Sequence, residues 1–280
     1  GVLNLVEWRN EVFQISPNDK VTQFYSHSFD SSVSEIFSTL LNGAELYLLS
    51  DEQRYSTVAY AQAIQETQAT ISDLPTVFFN ELSTSLTKLD SEKIRSLRFI
   101  IMGGEAASTN AIRSWQNTFK NQVQLVNEYG PTEATVSAMY YFIPVLEDEN
   151  NLLGSIPIGI PISNTKVHIL NSYMQHCPVG CMGELYIESL GLAQGYWKQE
   201  EKTKQAFISN LFSADNSKRL YRTGDLARWL PNGNIEFMGR KDKQVKIRGH
   251  RIELGEIEDA MLQLEGISQA VVTQTEDGML

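Results

Sequence analysis

Two hydrophobic periods alternate along the first half of the chain. Val33, Ile36, Phe37, Leu40 and Leu41 fall at helical spacing after Phe29-Asp30-Ser31-Ser32, which predicts a helix capped by Asp30 or Ser31 and ended by Gly43. Residues 45–49 then read as a buried strand, 59–65 as a helix, 70–74 as a strand, 75–86 as a helix, and 97–102 (LRFIIM) as a buried strand of parallel type. Ser108 or Thr109 caps a further helix running to about Phe119, and residues 123–126 form the next short strand. Strands alternating with helices imply βαβ units and a parallel sheet, so the fold class is α/β. Ligands of such sheets bind at the carboxyl ends of strands. The turns at Gly103-Gly104-Glu105 and at 127–133 (NEYGPTE) are therefore expected to share one crevice.

The second of these turns carries the most chemistry. Gly130 permits a positive φ, and Pro131 fixes its own φ and restricts its neighbour, so the chain must turn hard there. The ring of Tyr129 can stack on a base, Thr132 can donate to a phosphate, and Glu133 offers hard oxygen ligands to Mg²⁺. An ordinary α/β loop would have the same residues, so the turn alone does not decide the matter.

Beyond Pro144 the texture changes. Gly154, Pro157, Gly159, Pro161, Pro178, Gly180 and Gly183 punctuate short β-branched or aromatic runs at 166–170 and 184–188, an antiparallel, barrel-like pattern. Residues 221–230 and 235–238 form a hairpin with Asn232-Gly233 as its turn. Residues 239–258 are dense in charge, 256–264 form an amphipathic helix with Gly266 past its end, and 269–273 begin a strand. The predicted organisation is 1–143 as an α/β sandwich, 144–240 as a barrel-like part, and 241–280 as the start of a small lobe.

Composition narrows the function. The 280 residues carry 23 basic and 34 acidic side chains, a net charge of -11, which disfavours nucleic acid and anionic membrane as partners. No apolar run reaches a membrane span and the start has no secretory pattern, so a cytoplasmic location is expected. Cys177 and Cys181 beside His176 could be half of a zinc site, but no second Cys/His pair completes it, and a turn with reduced thiols is the better reading. The chain opens without Met and stops just after an apparent strand, which reads as a segment of a longer protein.

Five motifs occur in one order: Phe29-Asp30-x-Ser32, Asn127-x-Tyr129-Gly-Pro-Thr-Glu133, Gly183-Glu-Leu-x-Ile187, Tyr221-Arg-Thr-Gly-Asp-Leu226, and the charged run from Gly239 to Glu258. Across essentially the whole chain this resembles the amino-acid adenylation domain of nonribosomal peptide synthetases, within the group of acyl-CoA ligases and luciferases. The resemblance implies a large lobe with a parallel-sheet sandwich and a small distorted barrel. It implies that an amino-acid carboxylate attacks the α-phosphate of Mg·ATP, and that the acyl group then passes to phosphopantetheine on a carrier domain beside a condensation domain. By resemblance Thr132 contacts the α-phosphate and Glu133 ligates Mg²⁺. Tyr129 would stack on adenine, Asn127 would read its amino edge, and Gly104 would lie close to the ring. Asp225 would accept the ribose hydroxyls, Arg240 would contact ribose or phosphate, and Asp242 would be the hinge. The family's Lys-containing phosphate loop and late catalytic lysine are not in this chain, so alone it is expected to bind poorly and adenylate weakly or not at all. Ser189 and Gln194 stand where Gly and Arg are usual.

The same resemblance lines the amino-acid pocket with Asp30, Ser31, Ser34, Asp73, Ile101, Gly103, Glu128, Val136 and Ser137. Asp30 would pair with the substrate α-amine, and the small residues leave room for a long side chain. Asp73 and Glu128 add two carboxylates, and buried acids without a cation are costly. A long cationic substrate is therefore expected, arginine first, with tyrosine possible. A carboxylate-CoA ligase and an inactive docking piece are the alternatives.

Overall fold

The structure, a computed structural model, describes all residues except 91, 147–154, 216, 243, 248–249, 265–266, 268, 274 and 276–280. The chain opens with α1 (Val2–Phe13), a helix not predicted above, which buries Leu5, Val6, Trp8, Arg9 and Phe13 on one side. There follow β1 (Lys20–Gln23), α2 (Ser31–Leu40), β2 (Glu45–Leu48), α3 (Asp51–Tyr55), α4 (Thr57–Thr67) and β3 (Ile71–Pro75). Next come α5 (Thr76–Ser85), β4 (Phe99–Gly103), α6 (Thr109–Phe119), β5 (Gln124–Tyr129), β6 (Met139–Phe142) and β7 (Ile160–Pro161). These strands form one sheet in the order β2-β1-β3-β4-β5-β6-β7. The first five pair in parallel, as expected, and the last two add antiparallel. The sheet thus runs past the predicted boundary at 143, because β7 pairs with β6.

Register explains the site. Asp73 pairs with Ile101, Ile101 with Val126, and Gly103 with Glu128. Side chains alternate between faces along a strand, so Asp73, Ile101, Gly103 and Glu128 share one face. On that face Ile71, Ile101 and Val126 pack against Leu5, Trp8 and Phe13 of α1. The opposite positions Ile100, Met102 and Leu125 pack with Tyr60, Phe79, Leu82 and Trp115 beneath the other helices. β2 is the sheet edge, paired only with β1, so it is not the buried strand expected, and Leu48 is exposed.

The predicted helix α2 exists, but the apolar positions that announce it are not the ones it buries. Ser32, Ser34, Glu35, Ser38 and Thr39 face inward, while Phe37, Leu40 and Leu41 are exposed. Past the end of β1 the backbone N–H groups of Phe24 and Tyr25 need acceptors, and the Glu35 carboxylate takes both, Phe24 at 2.8 Å. Asp30 occupies the N-cap position without making a capping bond.

The second sheet comprises β8 (Thr165–Leu170), β9 (Gly183–Ser189), β10 (Phe207–Ser209), β11 (Arg219–Trp229) and β12 (Ile235–Arg240), with α7 (Glu200–Ala206) between β9 and β10. It is antiparallel, with Gly233 at φ +81° in the predicted hairpin turn. A bridge from Gly159 to Ile235 joins it to the first sheet. β13 (Gln244–Ile247) and β14 (His250–Glu253) pair, and α8 (Leu254–Leu262) follows, two residues earlier than predicted. Residues 269–273 do not form the predicted strand; no ladder reaches them, and the Val272 N–H donates instead to Glu258. Gly154, Lys243, Arg248, Gly249 and Gly266 lie outside the described residues. Among the described residues no helix is long and apolar enough to cross a membrane. Cys177 and Cys181 are unbridged, and His176 pairs with His168 at 2.9 Å.

Candidate functional site

A cavity of about 450 Å³ opens at the carboxyl ends of β3, β4 and β5. The two turns expected to share a crevice do so: Gly103 and Gly104 face it from one, Thr132, Val136 and Ser137 from the other. Glu128 and Tyr129 reach it from the end of β5, Asp73 from β3, Ile101 from β4, and Asp30, Ser31 and Ser34 from the start of α2. Asp225 and Arg240 close it from the second sheet. Asn127, Glu133 and Asp242 are not on its wall.

One wall holds a residue the sequence reading missed. Arg9 of α1 is 1% exposed, and its Nη2 donates to both Asp73 oxygens at 2.8 and 3.0 Å. Its Nη1 reaches Glu128 at the longer distances of 3.4 and 3.5 Å. The premise of two buried acids without a cation is therefore corrected: α1 supplies the cation. Burial works against the Arg9 charge, but Asp73 and Glu128 outweigh it and raise its pKa. Burial pushes the Glu128 carboxyl up and Arg9 draws it back only in part, while the Ser137 hydroxyl donates to it at 2.6 Å. Glu35 lies in the same charge group, pushed well above the carboxylate range by burial and then by Asp73.

On the other side the groups form a chain. The Tyr129 hydroxyl donates to Asp225 Oδ2, Arg240 donates to Asp225 Oδ1 at 2.6 Å, and Arg240 also clasps both oxygens of Asp242. Asp242 thus joins the site through Arg240. Asn127 turns away; its amide donates to the Pro157 carbonyl at 2.8 Å and braces β5 against the segment before β7. The Thr132 hydroxyl donates to Asp30 Oδ2 at 2.5 Å, so the group expected at a phosphate touches the group expected at an amine.

The turn between them is tight for a reason other than the one expected. Gly130 is not among the glycines at positive φ; a Cβ there would lie 2.1 Å from the Val136 carbonyl oxygen and 2.7 Å from Ser137 Cα. Positive φ falls instead on Thr135 and Val136, at 60° and 68°. Two β-branched residues hold that strained conformation because the Thr135 hydroxyl donates to the Gly191 carbonyl at 2.6 Å and the Ser137 N–H closes on the Thr135 carbonyl. Gly104 has φ +92°, so its backbone alone disfavours a side chain.

A family model described as "AMP-binding enzyme" matches residues 1–197. The chain belongs to the AMP-binding enzyme family. This AMP-binding chain is 43% identical over 278 residues to tyrocidine synthase 1 of Brevibacillus parabrevis and 40% identical over 277 residues to gramicidin S synthase 1 of Brevibacillus brevis, 99% of this chain in each case. It spans 24% of the length of each of those relatives. Among solved structures it resembles holo-PA1221, an NRPS protein containing adenylation and PCP domains bound to a vinylsulfonamide inhibitor, with a TM-score of 0.81 and 31% identity over 91% of this chain and 43% of that one. It also resembles the Vibrio cholerae adenylation domain AlmE in complex with glycyl-adenosine-5'-phosphate, with a TM-score of 0.84 and 28% identity over 98% of this chain and 51% of that one.

Glu133 of this AMP-binding enzyme is 8% exposed, and its Oε1 accepts a 2.6 Å bond from the Tyr196 hydroxyl. Burial first, and then Glu133, push the Tyr196 phenol far above its ordinary pKa, so it remains a donor. Among the described residues no group of three or more His, Cys, Asp or Glu converges as a metal site. A single oriented carboxylate of this kind could hold Mg²⁺, an ion commonly bound by one or two acids plus substrate phosphates. Tyr196 is the second residue that sequence reading missed. Tyr196→Phe is expected to weaken apparent Mg²⁺ affinity roughly tenfold with little change in stability, measured by titrating activity against Mg²⁺.

Proposed function

We propose that the protein activates an α-amino acid with ATP. The amino-acid carboxylate oxygen attacks the α-phosphorus, the bond to the bridging oxygen breaks, and pyrophosphate leaves with the electron pair, giving aminoacyl-AMP. The Asp30–Thr132 contact carries this reading: the acid suited to an ammonium and the hydroxyl suited to a phosphate lie 2.5 Å apart in one cavity. Two mutually repelling anions brought to such a point need positioning and charge neutralisation more than covalent help. Thr132 donates to the α-phosphate, Asp225 accepts from the ribose, Tyr129 lies along the base, and Arg240 adds a positive charge beside the ribose. Asn127 supports the adenine pocket from behind. Glu133, oriented by Tyr196, holds Mg²⁺, which supplies neutralisation of the phosphate charge when bound. Asp242 turns the small lobe through its clasp on Arg240. The product is consumed by a phosphopantetheine thiol on a carrier domain, in a multidomain synthetase that also contains a condensation domain, within the cytoplasm.

Ser31, Ser34, Gly103 and Ser137 leave room for a long substrate side chain. Because Arg9 already neutralises Asp73, the case for a cationic side chain weakens, and tyrosine moves ahead of arginine. Asp30→Ala is expected to raise KM for the amino acid roughly 10–100-fold with little change in KM for ATP, as befits loss of a bond to a charged group. An unchanged KM would favour a carboxylate-CoA ligase, which needs no acid at that position.

A further inference from the structure

On the amino-acid-activating reading, we propose that Arg9 is a specificity-determining residue: a guanidinium built into the pocket wall that excludes cationic side chains and selects a neutral group able to donate and accept at once. Three observations carry it. First, Arg9 faces the cavity from α1, on the sheet face that also presents Asp73, Ile101 and Glu128. Second, its bonds are unequal. Nη2 donates to both Asp73 oxygens at 2.8 and 3.0 Å, whereas Nη1 meets Glu128 only at 3.4 and 3.5 Å. Glu128 therefore keeps acceptor capacity for a substrate donor. Third, Arg9 Nη1 makes those long contacts to Glu128 and nothing shorter among the described residues, so it keeps donor capacity that a substrate oxygen would use.

These demands point to one chemical class. A hydroxyl or amide donates to Glu128 and accepts from Arg9. An ammonium or guanidinium can only donate, and it would enter beside the Arg9 guanidinium, a charge of its own sign. Selection thus rests on an unfavourable element for the wrong side chain as well as a favourable one for the right side chain. Phe13, whose ring lies 5.3 Å from the Arg9 guanidinium carbon, and Trp8 hold α1 against the sheet and so fix the selector in place.

The test is amino-acid-dependent pyrophosphate exchange in the full polypeptide that contains this chain, with tyrosine, glutamine, arginine and lysine compared by kcat/KM. The paired variant Arg9→Gln with Asp73→Asn removes one charge of each sign and keeps the network balanced. It is expected to raise the ratio of cationic to neutral substrates by at least about tenfold, because Glu128 then stands without a competing cation. Arg9→Lys keeps the charge and loses the fork, so it should depress tyrosine activation while still excluding arginine; it also serves if the paired variant fails to fold. Exchange in the unmodified protein together with an unchanged ratio in the folded paired variant overturns the role of Arg9 alone. So does free entry of arginine into Arg9→Lys. No exchange with any amino acid in the unmodified protein overturns the activity and the role of Arg9 together.

Discussion

Arg9→Leu is expected to destabilise the protein by about 3–5 kcal/mol, the range for breaking a buried ion pair from one side. The loss is not chiefly one of packing, since leucine replaces much of the apolar stem. It comes from leaving Asp73, 4% exposed, Glu128 and the fully buried Glu35 together with no cation among them. Such acids must either stay charged in a poor medium or take up protons, and both courses cost free energy. Thermal unfolding should fall by roughly 10 °C, and Asp73→Asn in the same background should recover part of it, because the two positions are in contact. A loss under about 1 kcal/mol would mean that Arg9 is not the counter-ion of this wall.

Gly130→Ala should abolish most activity while leaving the fold in place. Its new Cβ would meet the backbone of Val136, Ser137 and Ala138 at 2.1, 2.7 and 2.8 Å, and backbone cannot rotate aside as a side chain can. The turn has to open, which carries Thr132 away from Asp30 and Ser137 away from Glu128. Misplacement by about an ångström at a reacting centre can cost roughly 10²-fold, and a loss of that order in kcat/KM for exchange is expected with far-UV circular dichroism unchanged. Near-normal exchange in the variant would show that the tight turn does not set the geometry of the reaction.

The sequence made the parallel sheet and the crevice legible because both rest on periodicity and on strand ends, which are local signals. Within β5 the faces alternate as a strand requires, so Glu128 meets Arg9 while Asn127 meets Pro157 and leaves the cavity wall where it was expected. What stayed hidden depends on partners far away in the chain. Arg9 sits 64 residues before Asp73 and 119 before Glu128, and a lone arginine in an apolar helix reads as a surface residue until its acids are seen. The signal available was its place one residue after Trp8 and four before Phe13, on the apolar side of α1. α2 shows a second limit. Spacing announces a helix but not which face goes in, and there the polar face turns inward because β1 ends in backbone donors that Glu35 has to satisfy. Tyr196 was illegible because Glu133 and Tyr196 meet only across the junction of the two sheets.

The most direct test of the central claim is pyrophosphate exchange into ATP by the full polypeptide that carries this chain, measured with an amino acid and with the corresponding acid lacking the α-amino group. The account predicts exchange with the amino acid, lost when Asp30 is replaced by alanine, and little exchange with the deaminated acid. Equal exchange with both acids, unaffected at Asp30, would contradict it.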